Sequence, residues 1–255
     1  MRVQKIFSTP SERITKFFVF VDAEHNNYFI TGRFFNKIDF LSSQKHEFTA
    51  RAGSEWGFFS SYDETLRHKF TRTLETKDST YDVIVDSMKV DYDSAYGDVY
   101  ISGFFTGPIL TYGGNEIIKL VDYPKGPTGF VLRLNPSSGA LLWVTQLEQT
   151  SQFITLACDA GLIRFVTMWK LSNAQLQLGA LDYATGKLVY SRNVNPIPTS
   201  SYIPHVDQIT SSVLHVDSKH NVVLFGNVME IVQNPVSLVS DVVYKTPFIS
   251  KFDDN

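Results

Sequence analysis

The sequence predicts an all-β fold assembled from about four copies of one four-stranded antiparallel unit, and three observations carry that expectation. The 255 residues include 20 Phe and 12 Tyr, and together with plentiful Val, Ile and Thr this is the make-up of pleated, half-buried surfaces. No segment sustains a 3.6-residue apolar period flanked by helix caps. The chain also repeats itself: "GALDYATGKLVYS" (179–191) is a short strand, a turn and a second strand, and "FVLRLNPSSGALLWV" (130–144) is nearly the same hairpin.

Taken in order, each unit opens with an apolar strand ending near an Asp, a polar turn, and a second strand that often ends in Gly. The four openings are "FFVFVDAEHNNYFITGRF", "SMKVDYDSAYGDVYISGFF", "FITLACDAGLIRFVTMW" and "SVLHVDSKHNVVLFGNV", anchored at Asp22, Asp91, Asp159 and Asp217. After a connection of variable length comes a third strand, an Asx or Ser/Thr/Gly turn, and a fourth strand. These read "GFFSSYDETLRHKFTRT", "GFVLRLNPSSGALLWVTQL", "LQLGALDYATGKLVYSRNV" and finally "PFISKFDDN", which has no fourth strand. The opening "MRVQKIFSTP" aligns with "ALLWVTQLEQ" and "KLVYSRNVNP", so residues 1–10 are expected to complete the last unit. The units are 14–74, 83–147, 153–194 and 212–255 plus 1–10, in a single domain over 1–255.

Four antiparallel strands repeated radially describe a β-propeller, whose blades bury both faces against their neighbours and leave only short edges. With the first strand completing the last blade, the ring closes at four blades. Without it, the chain is part of a larger ring; the closed form is favoured. The turns "LNPSSGALLW" and "LDYATGKLVY" resemble the Asp-x-x-Thr-Gly-x-x-x-Trp motif of quinoprotein-like (PQQ-like) propeller repeats. The segments "DSAYGDVYISGFFTG" and "GFVLRLNPSSGALLW" resemble the bacterial SBBP-type propeller repeat. The second unit fits best; Trp143 stands at the family tryptophan, replaced by Tyr190 in the third unit and by the nearby Phe70 in the first. The resemblance implies a propeller that binds or scaffolds. It implies no quinone cofactor, because such dehydrogenases use larger rings and no quinone-binding set is evident. No cofactor is expected.

A net charge of -3 and a pI near 6.1 supply no basic field for phosphates, and no Lys/Arg block carries interleaved aromatics, so nucleic acid is not an expected partner. Cys158 is the single cysteine, which excludes an internal disulfide. The start "MRVQKIFSTPSER" has no long apolar core, and "KFFVFV" (16–21) is far too short to span a bilayer, so no membrane insertion is expected. The compartment stays open: the resemblance leans toward a secreted or cell-surface module if the chain is excised from a longer precursor.

In a propeller, connections alternate between two faces. The short turns "YDET", "NPSSG" and "DYATG" fall on one. Three long second-to-third connections (35–56, 107–128 and 227–246) fall on the other, and long loops on a rigid scaffold are where recognition is usually placed. The candidate contact residues there are Phe40, Trp56, Tyr112, Tyr123 and Tyr244, since rigid amphipathic rings bind at little entropic cost. Against this stands the plain alternative that alternating residues such as Ile109, Ile117 and Ile118 make extra strands or pack between blades.

Chemical constellations are sparse. "DYDSAYGD" (91–98) approaches a calcium loop, but Ala95 stands where a ligand belongs, so a polar turn is the reading. His215 and His220 in "HVDSKHN" point apart on an extended chain, which opposes shared zinc coordination, and no metal is expected. Cys158 sits in an apolar strand without a local cation and is read as a small core residue. Asp39, Glu47, Glu55, Glu116 and Asp122 are the carboxylates available for glycoside chemistry. The expected function is a non-catalytic binding or scaffold module whose loop-rich face recognises protein or glycan, with a carbohydrate-active hydrolase or lyase as the alternative. A third form is a subunit whose last blade is completed by another chain.

Overall fold

A computed structural model describes residues 14–22, 26–40, 47–50, 53–77, 81–90, 98–120, 127–147, 150–169, 175–194, 206–232 and 242–252, and no helix occurs among them. The proposed strand at 1–10 lies outside the described residues. The chain divides into two compact units, Met1–Ile154 and Thr155–Asn255.

The first unit begins with β1 (Ile14–Asp22) and β2 (Asn27–Phe35), continues through the small ribbon β3 (Lys37–Asp39) and β4 (Glu47–Thr49), and returns as β5 (Glu55–Asp63) and β6 (His68–Thr76). Next come β7 (Val83–Val90) and β8 (Val99–Phe105), the hairpin β9 (Ile109–Tyr112) and β10 (Asn115–Lys119), then β11 (Thr128–Leu134) and β12 (Leu141–Leu147). The first sheet runs β1-β2-β5-β6-β9-β10 and the second β12-β11-β8-β7. Both are antiparallel meanders, with one addition. The β9–β10 hairpin leaves the second repeat and pairs with β6 of the first, Leu74 opposite Tyr112 and Thr76 opposite Leu110. Ile118 is buried and Ile117 packs on the core there, so the connection carrying Ile109, Ile117 and Ile118 makes extra strands.

Alternation along these strands decides what each face buries. One face of the first sheet, with Phe29, Phe59 and Leu74 and flanked by Phe18, Phe20 and Phe70, packs on Val83, Val85, Ile101 and Phe130 of the second. Its far face carries Ile30, Phe34, Trp56, Phe58 and Tyr62, and the β3–β4 ribbon closes over it with Ile38, Phe40 and Ala50. Each fully buried large apolar side chain stabilises the fold by about 1.5–3 kcal/mol relative to exposure. Two buried polar contacts tie this unit together: the Arg133 guanidinium donates to Asp98 Oδ2, its Nε at 2.8 Å, and Thr31 Oγ1 donates to Phe58 O at 2.6 Å.

The second unit holds β13 (Thr150–Asp159, starting just before the unit boundary), β14 (Leu162–Trp169), β15 (Gln175–Asp182) and β16 (Leu188–Val194) in one meander. β17 (Val206–Val216), β18 (Val222–Val232) and β19 (Val242–Phe252) form another, of three strands among the described residues. Its core includes Leu156, Ile163, Phe165, Leu178, Leu181, Leu214, Val222 and Leu224. The four sheets therefore follow the four sequence units in order, an all-β repeat of antiparallel meanders.

The repeat extends to detail. In each of the first three sheets an Asx turn joins the third strand to the fourth: Asp63 Oδ1 accepts from the Thr65 and Arg67 amides, Asn135 Oδ1 from the Ser137 and Ser138 amides, and Asp182 Oδ1 from the Thr185 amide. A one-residue bulge follows at the same place each time. The pairs Ser61–Phe70, Arg133–Trp143 and Ala180–Tyr190 precede Tyr62–His68, Leu134–Leu141 and Leu181–Leu188, which leaves Lys69, Leu142 and Val189 as the extra residues. Phe70, Trp143 and Tyr190 thus occupy one structural position, and the bulge accounts for the exposure of Leu142 and Val189.

Candidate functional site

The three long connections are built as β-ribbons, and their sequences explain why. In the first, Phe40 is held edge-on by Phe48 (5.8 Å between centroids) and Phe58 (5.1 Å), and it stacks on His68 at 6.2 Å. Trp56 stands edge-on to Phe34 at 6.3 Å, with its indole N–H enclosed and without a hydrogen-bond partner. In the second connection, Gly113 and Gly114, both at positive φ, make the two-residue turn of the β9–β10 hairpin. Tyr112 is buried, its hydroxyl donates to Gly139 O at 2.7 Å, and burial pushes its phenol above the usual tyrosine range. The third connection lengthens β18 and β19 to 11 residues each, with Tyr244 opposite Glu230. Tyr123 lies outside the described residues. Of the five candidate rings, Phe40, Trp56 and Tyr112 are buried within the chain, and the side chain of Tyr244 lies outside the described set.

The Tyr112 hydrogen bond belongs to a larger joint. The turn of the second sheet, 135–140, rests on the first sheet: Arg72 Nη2 donates to Ser138 O at 3.3 Å, and the Phe70 ring lies against Gly139. Gly139 has φ +66°, and a Cβ there would meet Phe70 Cε2 at 2.4 Å. Glycine is required on both counts.

A buried polar chain crosses the far face of the first sheet. His68 Nε2 meets Thr71 Oγ1 at 2.8 Å, and Thr71 Oγ1 meets Ser60 Oγ at 2.5 Å. Burial raises the Tyr62 phenol, against the opposing effect of its hydrogen bond with Ser60.

Among the candidate carboxylates, Glu55 is buried and accepts from Arg33 Nη1 at 3.2 Å, and Glu116 is exposed and paired with Lys77. Asp39 Oδ1 is enclosed with no hydrogen-bond partner. The Glu47 side chain and Asp122 lie outside the described residues, as do 91–97 of the calcium-like stretch. The last residue of that stretch, Asp98, is the buried partner of Arg133. Cys158 is half-buried on β13.

The two histidines part company. His215 is exposed on β17, opposite Val223. His220, at φ +64°, turns its Nδ1 to Asp159 Oδ1 at 2.9 Å. Asp159 also meets Arg164 Nη2 at 3.4 Å, and Arg164 Nη1 donates to the Tyr190 hydroxyl at 2.5 Å with its guanidinium 5.7 Å from the ring centre. Sequence spacing does not reveal this chain, because its members come from four strands and turns. Asp217 accepts from Asn221 Nδ2, from Lys251 Nζ at 2.9 Å and from the Lys219 and Asn221 amides, which together hold its carboxyl well below the usual range. No group of three or more His, Cys, Asp or Glu is poised to hold a metal ion among the described residues.

The sequence reading also missed two exposed apolar rows. Phe17, Val19 and Val21 line one side of β1, and Val213, Phe225 and Ile249 stand abreast on β17, β18 and β19. The continuous apolar run "VVLF" (222–225) is the signal that marks the second row, because it puts apolar side chains on both faces of the strand.

No family model matches the sequence, and no curated protein is detectably similar to it.

Proposed function

We propose that the chain is a non-catalytic binding or scaffold module whose four meanders are blades of a β-propeller of the SBBP-type or quinoprotein-like kind. The observation that carries the reading is the joint between neighbouring sheets: Phe70, at the position shared with Trp143 and Tyr190, sits on the turn glycine of the next sheet, Gly139. An aromatic docked on the following turn is a device for setting one sheet against the next. In this reading residues 1–10 are the fourth strand of the last blade. Their deletion then lowers the melting temperature or produces oligomers; an unchanged, monomeric variant removes that strand from the account.

Recognition of protein or glycan is assigned to the ribbon-bearing side. The ribbons are short strands fixed by buried rings, so Phe40, Trp56 and Tyr112 set the ribbons while Tyr123 and Tyr244 remain for contact. The exposed tip Gly113 to Glu116 adds backbone and carboxylate groups. The test is a glycan array together with photo-cross-linking in native extract, comparing wild type with Tyr123→Ala/Tyr244→Ala. Binding lost by a folded variant supports the assignment. Binding undiminished by the double change, or none by wild type, sinks it.

A further inference from the structure

Strand register defines one slot that recurs in the first three sheets: a second-strand residue and a fourth-strand residue that flank the same third-strand residue. It holds Phe29 and Phe70 about Ser61, Tyr100 and Trp143 about Arg133, and Arg164 and Tyr190 about Ala180. The first two slots are aromatic, whereas the third takes in a guanidinium whose side chain is only 3% exposed. A buried cation is costly without an acid in reach. Asp159 supplies the acid, its Oδ2 3.4 Å from Arg164 Nη2, while Arg164 Nη1 donates to the Tyr190 hydroxyl. The same carboxylate has a partner on the next sheet: His220, in the β17–β18 turn, donates from Nδ1 to Asp159 Oδ1 at 2.9 Å.

The backbone at His220 shows that the turn does not call for this residue. It sits at φ +64°, at the last position of the hairpin loop 218–220, where Gly or Asn is the ordinary occupant. The loop closes without the imidazole: the Asp217 amide donates to Asn221 O, and Asp217 Oδ1 accepts from the Lys219 and Asn221 amides. A strained residue that its own turn could replace points to a task for its side chain. The imidazole donates from Nδ1 both when charged and as the neutral Nδ1–H tautomer, so the contact does not depend on an imidazolium.

We infer that His220 is a clasp coupling the fourth meander to the third, reaching from the β17–β18 turn to the carboxylate that also compensates the buried Arg164. The first and second sheets meet through a ring on a glycine, Phe70 on Gly139; the third and fourth meet here through a shared carboxylate.

The test is native-state hydrogen exchange of the full chain, wild type against His220→Gly. Glycine relieves the left-handed backbone, so a residue that served the turn alone would leave exchange unchanged or slower. The clasp predicts the opposite sign: exchange quickens in β17–β18 and, across the contact, in β13–β14. With the imidazole 58% exposed, the increase is modest, roughly threefold. A second comparison removes both charges together, Asp159→Ala with Arg164→Met, so that neither is left unpaired; His220→Gly then has no such effect on β13–β14. Unchanged or slower exchange of β13–β14 in His220→Gly overturns the inference, whether or not the charge-free chain folds. An equal increase in the charge-free chain overturns it as well.

Discussion

On the first sheet, Ile30, Phe34, Trp56 and Phe58 lie beneath the β3–β4 ribbon; on the fourth, Val213, Phe225 and Ile249 lie in the open. Both surfaces are apolar faces of antiparallel meanders that open with the same strand–Asp–turn–strand unit. Among the described residues, the difference goes with the connection between second and third strands. In the first repeat it supplies Ile38, Phe40 and Phe48 and folds back over its own sheet. In the fourth it extends β18 and β19, and the described part of the sheet keeps an uncovered row. Among the described residues, an insertion between repeat strands is thus what covers one such face, while the other keeps an exposed apolar row.

Cutting out the ribbon is the sharpest way to break that comparison. Replacing residues 37–49 with a short Gly-Ser link removes Ile38 and Phe40 from the core and uncovers Phe34, Trp56 and Phe58. At about 1.5–3 kcal/mol for each large side chain, the loss exceeds about 5 kcal/mol, enough to unfold a typical domain. Urea titration and dye binding to exposed apolar surface report it; a variant as stable as wild type shows that the ribbon is not what covers the face.

The joint at Gly139 supplies a middle-sized effect. Gly139→Ala places a Cβ in the left-handed region and against the Phe70 ring, at an expected loss of about 2–3 kcal/mol. Gly114, at φ +85° with nothing within 4 Å, is the control: Ala there meets only the backbone cost, about 1 kcal/mol. Equal losses at the two sites mean that Phe70 does not rest on the turn.

The smallest effect is at the Asp217 turn. Its carboxyl is held below its ordinary value by Asn221 and Lys251 in the folded chain. The stabilisation is complete above the ordinary carboxylate pKa, near about 4, and is lost as pH falls through the lowered folded value. Asp217→Asn flattens the acid limb of the stability curve, visible in thermal melts from neutral pH downward; an unchanged limb means that the turn does not titrate with folding.

Much of this was legible in the sequence. The Asx turns at Asn135 and Asp182 fixed both hairpins with their strands, because a side chain that bonds backbone two or three residues ahead leaves few alternatives for the chain. The equivalence of Phe70, Trp143 and Tyr190 was also readable, and the bulge registers place them together. The ribbons were harder. Phe40 and Trp56 sit in a long polar connection that reads as loop, and only the sheet face they cover explains their burial. Tyr112 followed the same logic, although the Gly113–Gly114 pair between two apolar runs is a hairpin signal in its own right. The row on the last sheet was hidden for the opposite reason: Val213, Phe225 and Ile249 look like core residues in the sequence, and only their exposure sets them apart.

The most direct measurement is a paired urea unfolding of Phe58→Ala and Ile249→Ala. With Phe58 sealed under the ribbon and Ile249 69% exposed, Phe58→Ala should cost about 3–5 kcal/mol and Ile249→Ala no more than about 0.5 kcal/mol. Comparable losses from the two variants would contradict the account, since the two faces would then be buried alike.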